Sequence, residues 1–288
     1  MTQESPVKVE AVPSSLAQLV ITTKYAFVDY FRSRRFAILI VITLLISGLL
    51  TALVGYYRPA TFLASDLAFY SGWWGGSITF VVVLSAIFFG GDAISGEFQN
   101  KTGYFFVPNP IRRSSIYVGK WLAALIASAL VIAVFVAITL ANSFYYFGLQ
   151  FPVQFAESIL FALFYLVSVL GFTFFFSSLF KSTTYSLLVT AILFLFAFTL
   201  ISTLVQDLVK IEPWFILTYG ADIIGNVLVS PYPGHVVQTA GLFGRGGAAA
   251  PVFTTYNATI PEGLAIIAVY FVVTAILGLG LFERKEFN

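Results

Sequence analysis

The feature that most constrains this chain is a series of six uninterrupted apolar runs, each about 20 residues long. A helix of that length crosses the ~30 Å hydrocarbon layer of a membrane, whereas a buried strand of a soluble protein needs only roughly 4–8 apolar residues. We therefore predict an all-α integral membrane protein with six transmembrane helices. The predicted spans cover residues 36–57, 73–91, 121–144, 159–180, 187–205 and 263–282.

Composition supports the same class. Of the 288 residues, 59% are hydrophobic and only 10% are charged, and the mean hydropathy is +0.93. Soluble domains hold about 25% charged residues, so this chain has too few to coat the surface of a soluble globule. It contains no cysteine, which excludes disulfides, thiol catalysis and zinc–thiolate sites.

An amphipathic segment precedes the first span. Residues 1–13 are polar and are expected to form a disordered tail; residues 14–35 are expected to form an elbow helix lying in the membrane surface. The alternative for this helix is packing on a soluble partner. Its apolar face holds Leu16, Leu19, Val20, Phe27, Tyr30 and Phe31, and its polar face holds Gln18, Thr22, Asp29, Arg32 and Ser33. The six-span domain then covers residues 36–282, and 283–288 form a second tail.

Basic residues predict the orientation. With both termini inside, the inner segments hold twelve lysines and arginines and the outer loops only Arg58, Lys210 and Arg245, which is a strong positive-inside bias. We therefore predict a plasma-membrane protein with both termini in the cytoplasm. The connection 92–120 is then cytoplasmic, and the long connection 206–262 is extracellular.

The predicted outer connection combines proline-rich and apolar stretches. Its segment 214–230, WFILTYGADIIGNVLVS, is apolar enough for short helices lying on the outer leaflet. Asn257, followed by Ala258 and Thr259, forms an N-glycosylation acceptor pattern on this predicted outer side. A connection of this length is usually functional or disordered, and its apolar content predicts order.

Several function classes lack the residues they need. The predicted spans hold no charged residue near mid-depth, so no proton or sodium coupling is indicated. No phosphate-binding G-x-x-x-x-G-K-[ST] pattern occurs. His235 is the lone histidine and by itself makes neither a metal site nor a catalytic dyad. We therefore expect no enzyme, no cofactor site, no metal site and no nucleic-acid partner, only membrane lipid and protein partners.

The cytoplasmic connection predicts a force-transmitting helix. Ile94, Phe98 and Phe105 fall on one helical stripe, and Glu97, Asn100, Lys101 and Tyr104 fall on the opposite one. Pro108 and Pro110 would end this helix. An apolar face toward the spans and a polar face toward a soluble partner would couple the two, with Arg112 and Arg113 meeting headgroups or acidic groups of the partner.

The same connection resembles the cytoplasmic loop of type-2 ATP-binding-cassette (ABC) transporter permeases. The resemblance rests on ISGEFQNKT…PNPIRRSSIYVGK, and its positions are Glu97, Thr102, Pro110, Ile111, Arg113, Gly119 and Lys120. The order Lys101-Thr102-Gly103 departs from the family's usual Gly-Thr, which puts the helix register in question. The elbow helix, six spans and internal termini also agree with that family.

The resemblance implies a dimer of permeases, homomeric or heteromeric, driven by two cytoplasmic ATPase subunits that hold the ATP and Mg²⁺. It implies ATPase-coupling roles for Ile94, Glu97, Phe98, Lys101, Thr102, Tyr104, Phe105, Arg112 and Arg113. The resemblance also implies export of the cargo, which is expected to be amphipathic, a lipid, a glycan, a peptide or a drug-like molecule. Six spans without a fused ATPase favour a prokaryotic source. The alternatives are a gradient-driven or passive channel or transporter, and a non-transporting membrane scaffold.

Overall fold

The computed structural model describes residues 14–100, 112–240 and 252–285. Within these ranges six helices are long and apolar enough to cross a membrane: Arg34–Tyr57, Asp66–Gln99, Arg113–Phe147, Val153–Leu179, Thr183–Val209 and Ile260–Arg284. The prediction of an all-α membrane protein with six spans is confirmed. Nearly every helix runs past its predicted end, because the polar residues flanking each apolar run continue the helix.

The helices have local start signals. Ser14 begins α1 by accepting a hydrogen bond at Oγ from the Ala17 N–H at 3.3 Å. Ser33 separates α1 from α2, and its Oγ accepts from the Phe36 N–H at 3.2 Å. The helices are α1 Ser15–Arg32, α2 Arg34–Tyr57, α3 Asp66–Tyr70, α4 Ile78–Gly90, α5 Ser95–Gln99, α6 Arg113–Phe147, α7 Val153–Leu179, α8 Thr183–Ile192, α9 Phe198–Leu204, α10 Leu217–Ala221, α11 Ile223–Asn226 and α12 Ile260–Arg284.

Two of the six spanning helices are interrupted. The second combines α3, a π-helical turn at Ser71–Gly75, α4 and α5. The fifth combines α8, α9 and the π-helical turns Leu193–Ala197 and Val205–Val209. Such turns are common at functional sites. Helix α7 lies at the centre and packs on α4, α6 and α12.

Helix α1 packs on α6 with the face that the sequence describes as polar. Gln18 is buried and its Oε1 accepts a hydrogen bond from the Arg112 N–H at 3.1 Å. Thr22 lies against Gly119 so closely that a Cβ at Gly119 would stand 2.8 Å from the Thr22 Cβ. The apolar residues Leu16, Val20 and Phe31 are exposed on the other side. A membrane-surface location would place that exposed apolar face against lipid.

We call the end of the bundle that carries α1 and the end of α12 the basic end. The described residues 210–240 and 252–259, at the opposite end between the fifth and sixth spanning helices, form the cap. The cap contains the short helices α10 and α11 and an unpredicted antiparallel pair, β1 (Val236–Ala240) and β2 (Val252–Tyr256). Its strands are rich in β-branched residues, which is the signal for strands.

The cap helices are packed among the spans, whereas the sequence predicted helices lying on a leaflet. Ile223 and Ile224 are fully buried. The Ser158 hydroxyl donates to the Ile224 carbonyl at 2.5 Å and accepts from the Trp74 indole N–H at 2.8 Å. One buried hydroxyl therefore joins the second span, the fourth span and the cap.

The cap also meets the sixth span through two glycines. A Cβ at Gly263 would lie 2.8 Å from the Gly220 carbonyl oxygen and 2.4 Å from Ile223 Cγ2. Only a residue without a side chain permits this approach of α12 to α10. Small residues serve the same purpose in membrane helix packing generally, because apolar side chains gain little over lipid there.

Candidate functional site

The candidate site is the turn and short helix that end the second span at the basic end. We call residues 92–99 the junction. Helix α4 ends at Gly90, and α5 restarts the helix at Ser95. Such a restart leaves backbone donors without helical partners. Ser177 of α7 supplies the acceptor: its Oγ lies 2.9 Å from the Ile94 nitrogen and 3.0 Å from the Ser95 nitrogen.

Both carboxylates of the junction form ion pairs with other spans. Asp92 Oδ2 lies 2.6 Å from Arg35 Nη1 at the beginning of α2. Glu97 pairs with Lys120 of α6, and the Lys120 ammonium also donates to the Ala93 carbonyl at 3.0 Å. The Glu97 and Lys120 side chains are only 17% and 16% exposed. Water screens such a pair less than a surface pair, so it holds α5 to α6 more firmly than a surface pair would.

Phe98 connects the junction to the end of the sixth span. Its ring meets the Phe282 ring edge-on at a centroid distance of 6.4 Å. The Lys285 ammonium lies 4.3 Å from the Phe98 ring centroid, within the range of a cation–π interaction. The same ammonium donates to the Ser178 and Phe180 carbonyls, each at 2.9 Å. Lys285 therefore also caps the C-terminus of α7, where a cation is favoured.

Burial, with Lys181 nearby, lowers the pKa of Lys285 to about 8. The lost hydration disfavours the charged form. At neutral pH the ammonium is still mostly protonated, so it keeps its three donors for the α7 carbonyls and its charge for the Phe98 ring.

The fifth span joins the junction through hydroxyls and an amide. Gln99 Oε1 accepts from the Thr183 N–H and from the Thr183 hydroxyl, both at 2.7 Å. The Ser186 hydroxyl donates to the Gly91 carbonyl, immediately before the junction. With Arg35, Lys120, Ser177 and Phe282, these contacts bring all five other spanning helices to one short segment. The end of the second span therefore contacts every other spanning helix.

The structure gives positions for five of the nine predicted coupling residues. Ile94 is buried, Phe98 packs on α12, and Glu97 faces Lys120 of its own chain where the sequence expected a face toward a partner. Arg113 Nη1 donates to the Glu283 and Lys285 carbonyls at 3.0 and 2.9 Å, and Arg112 is exposed. The other predicted residues, Lys101, Thr102, Tyr104 and Phe105, lie outside the described residues.

Sequence reasoning missed the partners of the junction. Arg35, Ser177, Gln99 and Lys285 sit at span ends, where a basic or polar residue is expected to face headgroups. Nothing in their spacing indicates that they converge. Lys120 is the exception, because it stands in the motif that carries the family resemblance.

A second feature lies between the cap and the spans. A cavity of about 360 Å³ is lined by α4, the fifth span and the cap, with hydroxyl, aromatic and aliphatic side chains. Asp222 is its one carboxylate. The residue is open to the cavity, but protein surrounds it on the other sides, and this burial raises the pKa of Asp222 to about 7. The signal in the sequence was an acidic residue inside the apolar stretch 214–230.

The predicted acceptor Asn257 lies at the end of β2 in the cap. Its Nδ2 donates to the Gly234 carbonyl at 2.9 Å, and its backbone N–H donates to the His235 carbonyl at 2.8 Å. The side chain is therefore part of the turn that holds β1 beside β2. Its glycosylation stays a prediction.

Comparison with known proteins identifies the family. A model of the ABC-2 family transporter proteins matches residues 20–287, which includes the junction, all six spanning helices and the cap. A search of curated proteins finds no match to the chain. Proteins of this kind are the membrane components of ABC transporters and associate with an ABC ATPase. The chain therefore belongs to the ABC-2 family of transporter proteins and is a multi-pass membrane permease component.

Proposed function

We propose that this permease exports its cargo when a separate cytoplasmic ATPase subunit docks at the basic end and moves the junction. The observation that carries the proposal is the convergence of all five other spanning helices on residues 92–99. The predicted coupling loop, 92–120, contains the junction. Force applied to the junction would reach α6 through Glu97 and Lys120, and α2 through Asp92 and Arg35.

The contacts suit a moving part. Ion pairs and single hydroxyl contacts can exchange partners with small displacements, whereas interdigitated cores resist them. The basic end also presents exposed arginines, among them Arg32, Arg34, Arg112 and Arg284. These cations favour a partner surface with acidic groups. ATP and Mg²⁺ would reside in that partner, and this chain would remain non-catalytic.

A second permease copy completes the proposal. The fifth spanning helix is the least buried of the six in the described part of the chain, and Phe196 and Leu200 on it are more than half exposed. A second copy packed near this helix would enclose the cavity that contains Asp222. The cavity's apolar walls, hydroxyls and one carboxylate favour an amphipathic cargo, and a cationic group on it would complement Asp222.

The first test is purification of the tagged chain in mild detergent. We expect two ATPase subunits for every two copies of the permease. If the chain purifies alone and its activity does not depend on ATP, a passive channel or a scaffold replaces the proposal.

The second test separates docking from coupling. Glu97→Ala and Arg113→Ala should insert normally but hydrolyse ATP without cargo stimulation, because the junction no longer holds α6 or the end of α12. Glu283→Ala is the matched control, since its side chain is exposed at the same end and is not one of the arginines proposed to face the partner. Cargo-stimulated hydrolysis at the wild-type level in both junction variants would rule out this role of the junction.

A further inference from the structure

Two segments of the cap and the first turn of α12 bring a histidine and two carboxylates together. Glu212 follows the fifth span, His235 precedes β1, and Glu262 lies in the first turn of α12. One possible ligand atom from each lies within 4.8 Å of the others, and His235 Nε2 is 3.3 Å from Glu212 Oε2. In the sequence His235 is a lone histidine, whereas the fold places acidic partners beside it.

Each of the three side chains forms a hydrogen bond with a further group that orients it. His235 Nδ1 lies 3.0 Å from the Asn257 carbonyl. Because a carbonyl oxygen only accepts, Nδ1 donates to it, and Nε2 is the nitrogen that faces the carboxylates. A metal ion would bind Nε2 in its unprotonated form. The Tyr219 hydroxyl donates to Glu212 Oε1 at 2.6 Å, and the Thr259 N–H donates to Glu262 Oε2 at 3.3 Å. Metal-binding histidines and carboxylates are oriented by such supporting bonds.

The charges of the cluster call for a cation. Carboxylate oxygens of Glu212 and Glu262 lie within 4.8 Å of each other, and among the residues described no lysine or arginine forms an ion pair with either. Unprotonated Nε2 would add a third ligand atom directed at the same space. His235 is 44% exposed and Glu212 is 23% exposed, so an ion and a water ligand can reach the cluster from solvent.

We propose that Glu212, His235 and Glu262 bind one divalent transition-metal cation, with zinc as the fitting ion. Zinc binds imidazole nitrogen and carboxylate oxygen, and its open sites have three protein ligands with a water in the fourth position, as this cluster would provide. Calcium and magnesium fit less well, because they take six or more oxygen ligands. The ion would fasten the connection after the fifth span and the beginning of β1 to the first turn of α12. This inference does not depend on the proposed export function.

The test uses the full chain with a tag free of histidine, purified in detergent and treated with chelator. Calorimetric titration with Zn²⁺ should give one site per chain, and the unfolding temperature should rise with Zn²⁺ concentration, as binding to the folded state requires. Ca²⁺ and Mg²⁺ at equal concentration should leave it unchanged. Absence of a stoichiometric site, or an equal response to Ca²⁺, would overturn the proposal.

Variants locate the site. Glu212→Gln, His235→Ala and Glu262→Gln should each weaken Zn²⁺ binding by at least about tenfold, the loss that removal of a mere supporting group already causes. Glutamine at 262 can still cap α12, so this variant tests the ligand rather than the helix start. Glu157→Gln, an exposed glutamate near the beginning of α7 at the same end, is the control. Equal affinity of all four variants would place the ion elsewhere and overturn the assignment.

A measurement on the wild-type chain tests the ligand set without relying on variants that could misfold. Zinc X-ray absorption should give a nitrogen and oxygen shell at about 2.0–2.1 Å with the scattering of one imidazole. The chain has a single histidine, so that imidazole must be His235. A shell without an imidazole would contradict the proposal whatever the variants show.

Discussion

The two ends of this bundle are built from different contacts. At the basic end, the junction is held by ion pairs, a cation over a ring and single hydroxyls. At the opposite end, the cap is held by buried isoleucines, the Ser158 hydroxyl and the approach of Gly263 to Gly220. Charged contacts tolerate small shifts, whereas close packing does not. We therefore expect the junction to move more readily than the cap.

The largest expected effect comes from the ion pair at the junction. Glu97→Lys places two cations together where the side chains are mostly shielded from water, and should lower the free energy of unfolding by about 3 kcal/mol. Adding Lys120→Glu restores an opposite pair and should recover most of the loss. Denaturant unfolding in detergent measures both values.

The exposed Glu283→Lys serves as the control for this charge reversal and should stay within about 0.5 kcal/mol of wild type. If the double variant is as unstable as the summed single variants, the pair is not what holds α5 to α6.

The cap should respond to volume rather than charge. Gly263→Ala places a methyl group 2.8 Å from the Gly220 carbonyl oxygen, and overpacking of this kind costs about 1–3 kcal/mol. Gly280→Ala is the matched control on the same helix, because nothing lies within 4 Å of a Cβ there. Unfolding measurements on both variants check the expectation, and equal stabilities would show that α12 and α10 can separate freely.

The smallest expected effect is a pH dependence where the cap meets the spans, because Asp222 is open to the cavity and solvent there reduces the energetic weight of its pKa shift. Asp222 has a pKa of about 7 in the folded chain against 3.8 for a free side chain. The folded state therefore binds more protons between these values, so its stability should fall as pH rises from 3.8 to about 7 and then level off. Asp222→Asn should remove this component from the unfolding temperature. Parallel pH profiles for wild type and variant would show that Asp222 is well solvated.

The sequence predicted the spans well because their signal is local. An apolar run of about 20 residues leaves few alternatives to a transmembrane helix, and the match to residues 20–287 agrees with the family resemblance. The predicted elbow segment also forms a helix, although burial of Gln18 against α6 could not be read from its wheel. That burial depends on the backbone N–H of Arg112, which lies 94 residues away.

Tertiary proximity explains what the sequence could not provide. Glu212, His235 and Glu262 are separated by 23 and 27 residues, and no spacing rule joins them. Glu97 lies on the expected polar stripe of its helix, but whether that stripe faces a partner or Lys120 depends on where α6 begins. Strand β1 has a recognisable β-branched pattern, but the only elements predicted for the cap were short helices within residues 214–230.

The contacts of Lys285 determine the order in which the junction can be completed during synthesis of the chain. Its ammonium holds carbonyls of residues 178 and 180, which leave the ribosome 107 and 105 residues earlier. At roughly 5–20 residues per second, the carbonyls at the end of α7 and the Phe98 ring are made about 5–20 s before Lys285 is available to contact them. The contacts of the junction are therefore completed only after the sixth span has been synthesised.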